Sequence, residues 1–258
     1  MIGVVLLLGA CSKSSSGKTA ASTTGSSSAS TPASSSSPSA QLPPGCDAAP
    51  PPSNAVHVSR ATADVDGDGQ PDTVVVYGTG TVDQPAPYHV QVQFAAGKGI
   101  VDTVIEDAGN DGTQLVKALG AAEISARAGL PPDGTGAEVF VTVGSGASSS
   151  VVGIYQYGSC VLLRLLAEGS GAPATFPVGG TVTHYGTLRC DGTAGGQRLV
   201  VMSAQSDDGV TYQTSEQPLQ VQEGHLVADG PPVTGTSDAS APSLERFTHL
   251  DCPGVMQP

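Results

Sequence analysis

The sequence predicts an all-β protein built from antiparallel, four-stranded repeats of about 60 residues. Residues 46–258 contain short apolar runs, rich in valine and tyrosine, whose partial alternation with polar residues is typical of strands. Turns rich in glycine and aspartate separate these runs, and the same order of turn and strands occurs three times. A β-propeller-like arrangement is the expected architecture. A pseudo-three-fold β-barrel is the alternative, because three repeats are few for a propeller.

Each repeat begins with an acidic, glycine-containing turn that leads into an apolar strand. These segments are residues 66–76, 133–141 and 191–201. The further strands are predicted over residues 87–94 and 100–105, 150–157 and 161–166, and 209–214 and 219–227. The repeats therefore cover about residues 57–125, 126–185 and 186–247. We expect the closing segment, residues 248–258, to pair with the first repeat, and residues 112–124 are the one helix candidate.

The N-terminal residues, MIGVVLLLGAC, combine a short apolar run with small residues and a cysteine. Leu8-Gly9-Ala10-Cys11 resembles the lipobox of a bacterial lipoprotein, which implies that residues 1–10 are a signal peptide and that Cys11 carries lipid. The apolar run is too short for a transmembrane helix. The resemblance implies a protein anchored to the membrane through Cys11, on its extracytoplasmic face.

Residues 11–45 consist almost entirely of Ser, Thr, Ala, Gly and Pro after the cysteine. This composition buries too little apolar surface to offset the entropy lost on ordering the chain, so we expect a disordered linker. The folded domain that follows, residues 46–258, is long enough for one sizeable all-β unit.

The folded domain is strongly acidic. Lys13 and Lys18 precede it, so it keeps eight of the ten lysines and arginines against all 23 aspartates and glutamates, a net charge of −15. A surface of this charge repels phosphate groups, which argues against nucleic acid and anionic lipid headgroups as partners. We expect a monomer whose ligand is an unidentified protein or glycan.

The cysteines indicate disulfides. If Cys11 carries lipid, an even set of four remains in an exported protein, which predicts two bridges. Three pairings are possible. We favour Cys160–Cys190, which would join neighbouring strands, and Cys46–Cys252, which would join the ends of the domain. A zinc site fits poorly because the sequence has no Cys-x-x-Cys and no paired histidine spacing.

Residues 64–72, DVDGDGQPD, place four carboxylates and two glycines directly before an apolar strand. Calcium loops supply oxygen ligands from positions 1, 3, 5, 7 and 9, and here those positions are occupied by Asp64, Asp66, Asp68, Gln70 (through its backbone carbonyl) and Asp72. Carboxylates this close repel one another unless a cation lies among them. The sequence therefore predicts a calcium site, and the alternative is a solvated acidic turn that binds nothing.

The turn and the strand after it, residues 64–77, resemble the FG-GAP/VCBS repeats of integrin-type β-propellers and bacterial surface proteins. The resemblance implies four-stranded blades with calcium in a structural role. The second turn keeps only Asp133 and Glu138, and the third little beyond Asp191. We therefore expect one calcium site.

No catalytic motif is present in the sequence: there is no Gly-x-Ser-x-Gly, His-Glu-x-x-His or phosphate-binding loop. The five histidines are dispersed, and no catalytic residue is predicted. The expected function is a membrane-anchored binding or scaffold module. The alternatives are a cell-envelope hydrolase with acidic catalytic residues that the sequence does not locate, and a structural envelope protein without a specific ligand.

Overall fold

A computed structural model describes residues 46–108, 116–124, 136–193 and 196–258. The described chain is almost entirely antiparallel β-structure, which confirms the predicted fold class. The strands are β1 Val56–Ala63, β2 Asp72–Gly78, β3 Tyr88–Gln93, β4 Ile100–Ile105, β5 Lys117–Ala122, β6 Glu138–Ser145, β7 Ser149–Gly158, β8 Val161–Arg164, β9 Leu166–Ala167, β10 Thr175–Thr181, β11 His184–Thr193, β12 Gly196–Gln205, β13 Thr211–Gln222, β14 His225–Ala228 and β15 Val233–Asp238. A single 3-10 turn covers Ala95–Gly97, and the one described α-helix, α1, covers Pro242–Glu245.

Three consecutive four-stranded meanders make up most of the domain. They are β1-β2-β3-β4, β5-β6-β7-β8 and β11-β12-β13-β14, and every pairing within them is antiparallel. The first is a separate sheet, and the other two belong to a second sheet that continues from β7 through β10 to β11. Three repeats were predicted from the sequence, but their bounds differ from those of the meanders, because β5, the first strand of the second meander, lies within the first predicted repeat, residues 57–125.

The second and third meanders share a branch that the sequence did not predict. The first half of β7 pairs with β10, and its second half pairs with β8. In the same way, the first half of β13 pairs with β15 and its second half with β14. Each long strand therefore has two successive partners on one edge.

The described residues form three apolar cores, each of which packs against at least one meander. The first lies between the first and second meanders and includes Val76 and Val141. The second lies between the second and third meanders and includes Phe140 and Leu199. The third lies on the far side of the third meander, where Phe247, just after α1, packs against its strands. The meanders therefore pack face to face in chain order, because alternate side chains of each strand enter different cores.

The barrel alternative is wrong for the part of the chain that the structure describes. The strand order of both sheets is open, so neither closes on itself. Helices are also scarce: none formed by the described residues is long and apolar enough to cross a membrane.

The helix expected over residues 112–124 is wrong where the structure describes it, since Lys117–Ala122 is strand β5. Pairing with β6 on one edge and with the closing segment on the other outweighs the helical propensity of alanine and leucine. Gly120 has a φ of +128°, and a Cβ there would lie 2.1 Å from the carbonyl oxygen of Gly254. Residues 112–115 lie outside the described residues.

Two other expectations about strands are met only in part. The strand predicted over residues 219–227 is the end of β13, a turn at Glu223 and Gly224, and the start of β14. The closing segment pairs with Gly120, which lies within the first predicted repeat but belongs to the second meander rather than the first. It joins the second and third meanders, because the Met256 N–H donates to the Leu119 carbonyl at 2.8 Å and the Cys190 N–H donates to the Asp251 carbonyl at 2.8 Å.

The four cysteines form two disulfides, as expected, but the predicted pairings, Cys160–Cys190 and Cys46–Cys252, are both wrong. The bridges are Cys46–Cys160 and Cys190–Cys252, with Cα–Cα distances of 5.0 and 4.7 Å. Cys46 lies beside β4, where its carbonyl accepts the Ile100 N–H at 2.9 Å. Cys160 lies in the turn before β8, and β8 is a neighbour of β4. Neighbours in space, rather than along the chain, thus determine the pairing.

Candidate metal centre

The acidic turn connects β1 to β2 at the end of the first sheet. Asp64, Asp66 and Asp72 each offer a carboxylate oxygen within 4.8 Å of the others, so three of the five predicted ligands meet at one point. Asp68 is not part of this cluster, and Gln70 is predicted to bind through its backbone carbonyl rather than a side chain. Oxygen donors in this number and spacing suit a hard divalent cation such as calcium, which takes its remaining ligands from backbone carbonyls and water.

The turn holds its shape through its own carboxylates. Asp64 accepts the N–H groups of Asp68 at 3.0 Å and Gly69 at 2.8 Å, and Asp68 accepts the Gln70 N–H at 2.7 Å. The turn requires two residues with positive φ, Gly67 at 75° and Gly69 at 81°. Glycine adopts this conformation without steric cost, so the DGDG sequence favours the turn locally.

Asp72 is the first residue of β2 and is 1% exposed. One carboxylate oxygen accepts the Val65 N–H at 2.8 Å, and the other accepts the Ala95 N–H at 2.9 Å. Burial raises the pKa of the Asp72 carboxyl above its usual value, and these hydrogen bonds oppose the shift. Asp72 therefore fixes both the start of the turn and the β3–β4 connection, a role that the sequence analysis did not assign to it.

Lys98 brings an ammonium group to the outer side of the turn. Its Nζ lies 2.8 Å from an oxygen of Asp66 and 2.6 Å from one of Asp68. Hydrogen bonding to Lys98 lowers the pKa of the Asp68 carboxyl, and the same bonds raise the pKa of Lys98. Sequence analysis missed this residue because Lys98 reaches the turn only through the pairing of β2, β3 and β4.

Glu138 shows that the second meander repeats the Asp72 arrangement. Glu138 is the first residue of β6 and is 0% exposed, and its carboxylate accepts the Ile124 N–H at 2.8 Å and the Gln156 side-chain N–H at 3.2 Å. Ile124 lies two residues after β5, as Val65 lies two residues after β1. In the first and second meanders, the acidic residue that opens the second strand is therefore a buried acceptor for a backbone N–H two residues after the first strand.

The other predicted acidic turns do not form an acidic cluster among the described residues. Asp133 lies outside them. Asp191 lies within β11 and binds the Arg189 guanidinium at 2.5 and 2.9 Å, which lowers the pKa of its carboxyl. The first turn is thus the one described acidic cluster of metal-binding geometry.

The first turn also packs against the second meander. The Ala137 N–H donates to the Asp64 carbonyl at 3.0 Å. The Val65 side chain is buried in the first core. A Cβ on Gly136 would lie 1.7 Å from the Val65 carbonyl oxygen, so the approach of the two backbones requires glycine. A cation in the turn would therefore act on the contact between two meanders as well as on the turn.

A second polar cluster lies on the outer face of the first sheet, where sequence analysis predicted no site. Asp102 accepts the Tyr77 hydroxyl at 2.9 Å, lies 2.7 Å from Nδ1 of His89, and is 3.3 Å from the Gln91 amide nitrogen. The rings of Tyr77 and His89 are stacked with centroids 5.1 Å apart. Burial, together with the hydrogen bond to Asp102, raises the pKa of Tyr77. These contacts join β2, β3 and β4, so the cluster stabilises the pairing of the three strands.

Comparisons with protein-family models, curated proteins and solved structures give no match to this chain.

Proposed function

We propose that this chain is a membrane-anchored, extracytoplasmic binding or scaffold module with one structural calcium ion in the turn of residues 64–72. The observation that carries the proposal is the convergence of three carboxylates, spaced as in calcium loops, at the entrance to a buried strand. The turn has the spacing of an FG-GAP/VCBS repeat, and the three meanders pack in chain order. Both features support the proposal that the meanders are blades of a propeller-like arrangement that does not close into a ring.

Location outside the cytoplasm is supported by the cysteines. Two pairs at disulfide distance are typical of proteins from oxidising compartments. The resemblance of residues 8–11 to a lipobox supports the anchor on Cys11, which lies outside the described residues together with the signal peptide and linker. The ligand proposed for the domain is a protein or glycan.

The role proposed for calcium is structural. The turn contains Asp72, which holds the β3–β4 connection, and Asp64, whose carbonyl binds the second meander. An ion coordinated by the side chains of Asp64, Asp66 and Asp72 would restrain both contacts. Asp68 and the Gln70 carbonyl complete the proposed ligand set.

We expect calcium to raise the melting temperature of the oxidised protein. Calcium at about a hundred times its dissociation constant adds about 2.7 kcal/mol if it binds only the folded state. For a domain of this size, that is a shift of roughly 5–10 °C. The measurement is thermal unfolding in a chelator and at increasing calcium concentrations. Asp66→Ala should abolish the shift, whereas Asp83→Ala, which removes an exposed carboxylate elsewhere in the first meander, should keep it. An unchanged melting temperature at millimolar calcium would show the turn to be only a solvated loop.

Lys98→Gln should increase the affinity of the turn for calcium. The Lys98 ammonium must leave Asp66 or Asp68 before those carboxylates can turn fully to a cation, so removing it removes a competitor. We expect a gain of up to about fivefold in calcium affinity, because exposed ion pairs are weak and solvent already screens the competition. Calcium titration followed by calorimetry measures the gain, with Lys117→Gln as the control of equal charge change. Weaker calcium binding in Lys98→Gln would contradict the competition.

A further inference from the structure

A cavity of about 540 Å³ lies where the first meander, the second meander and the closing segment meet. Its described lining is Arg60, Ala61, Thr62, Thr73, Leu119, Gly254 and Met256. These residues come from β1, β2, β5 and the end of the chain. No residue of the acidic turn lines it, so the cavity is separate from the candidate metal centre.

Arg60 is an exception among the cations of this acidic domain. Most of the described lysines and arginines have a carboxylate partner within ion-pairing distance, namely Lys98, Arg164, Arg189, Arg198 and Arg246. Within the described part of the chain, Arg60 and Lys117 have none. No described lining residue of the cavity carries a carboxylate. The Arg60 guanidinium is therefore left with the donors that recognise a carboxylate in a bidentate manner.

The remaining lining divides into a polar and an apolar part. Thr62 and Thr73 are opposite each other in the β1–β2 pairing and bring two hydroxyl groups to the same end as Arg60. Leu119 is fully buried, whereas Met256 is 53% exposed. An exposed methionine beside a cavity offers a deformable apolar surface to a ligand.

From this lining we propose that the cavity binds a small organic anion with an apolar body, such as a medium-chain fatty carboxylate. Arg60 pairs with the carboxylate, and the hydroxyls of Thr62 and Thr73 are the additional donors. Met256, which is exposed beside the cavity, contacts the apolar chain. The cavity shares no lining residue with the calcium turn, so a failure to bind octanoate would leave the proposed calcium site unaffected, and the reverse also holds.

The test is a titration of the full chain with sodium octanoate, followed by nuclear magnetic resonance of ¹³C-methyl-labelled methionine. The sequence has three methionines, so the spectrum is simple. The Met256 signal should shift and saturate, while the signal of Met202, which is buried in the third core, should stay in place. Arg60→Gln should weaken octanoate binding about threefold to fivefold, because Arg60 is exposed and solvent screens the ion pair that it forms.

Two controls make the result specific. Lys117→Gln removes the other described cation without a carboxylate partner, which does not line the cavity, and should bind octanoate as the wild type does. Octan-1-ol, which has the same chain without the charge, should bind at least about threefold more weakly. The proposal is overturned if Met256 does not respond, if Arg60→Gln titrates with the wild-type midpoint, or if octanol binds as well as octanoate.

Discussion

Removal of both disulfides should leave the domain largely unfolded at 37 °C. The bridges close loops with sequence separations of 114 and 62 residues. In the chain-entropy model, each contributes roughly 4–5 kcal/mol. Domains are stable by only about 5–15 kcal/mol in total, so losing both contributions removes most of the free energy of unfolding. The measurement is urea and thermal unfolding of the oxidised protein and of the same protein in reductant.

Double serine variants separate the two bridges and test their pairing. Cys46→Ser with Cys160→Ser and Cys190→Ser with Cys252→Ser should each lower the melting temperature by roughly 10 °C or more, since each breaks one bridge. Cys160→Ser with Cys190→Ser breaks both bridges and should be the least stable. Peptide mapping under non-reducing conditions should join Cys46 to Cys160, and a peptide joining Cys160 to Cys190 would contradict the structure.

The local pattern of the sequence carried most of the information about strands. Runs such as Val74-Val75-Val76 are β-branched and lie between turn residues, and they form strands in all three meanders. Three similar turn-and-strand segments therefore predicted three similar units. Lys117–Ala122 was missed because its alanines and leucine favour a helix, and only pairing on both edges makes it a strand.

Features that depend on contacts distant in sequence could not be predicted. β7 and β13 each pair with two successive strands on one edge. The residue pattern within a single strand does not show how many partners that strand will have. The Cys46–Cys160 disulfide follows from the proximity of the first described residues to the turn before β8, and Cys190–Cys252 follows from the contact of β11 with the closing segment. The entropy cost of closing a loop changes only slowly with its length. Sequence separation alone therefore does not favour one pairing of distant residues over another.

The acidic turn was predicted in part. The sequence identified the residues that meet, because the spacing of Asp64, Asp66 and Asp72 is a property of one short loop. It did not identify Lys98, whose contact depends on the β3–β4 connection. Nor did it separate the two uses of Asp72, since a buried acceptor for backbone N–H groups and a metal ligand can be the same residue type.

That distinction makes Glu138 the best position to test the structural role alone, because its meander has no described metal cluster. Glu138→Ala should destabilise the domain by roughly 3–5 kcal/mol. It leaves the Ile124 N–H and the Gln156 amide without this acceptor in a buried site, and each lost partner costs about 1–3 kcal/mol. The deleted side-chain atoms also leave a cavity.

Glu138→Gln should cost much less, about 1–2 kcal/mol, because the amide oxygen still accepts the Ile124 N–H. Glu123→Ala is the matched control, since it makes the same change at an exposed position close in sequence and should stay within about 0.5 kcal/mol of the wild type. Equilibrium unfolding in urea measures all three variants, and calcium should have the same effect on each. If Glu138→Ala were as stable as Glu123→Ala, the buried carboxylate would not stabilise the backbone at Ile124, and the parallel between Glu138 and Asp72 would fail.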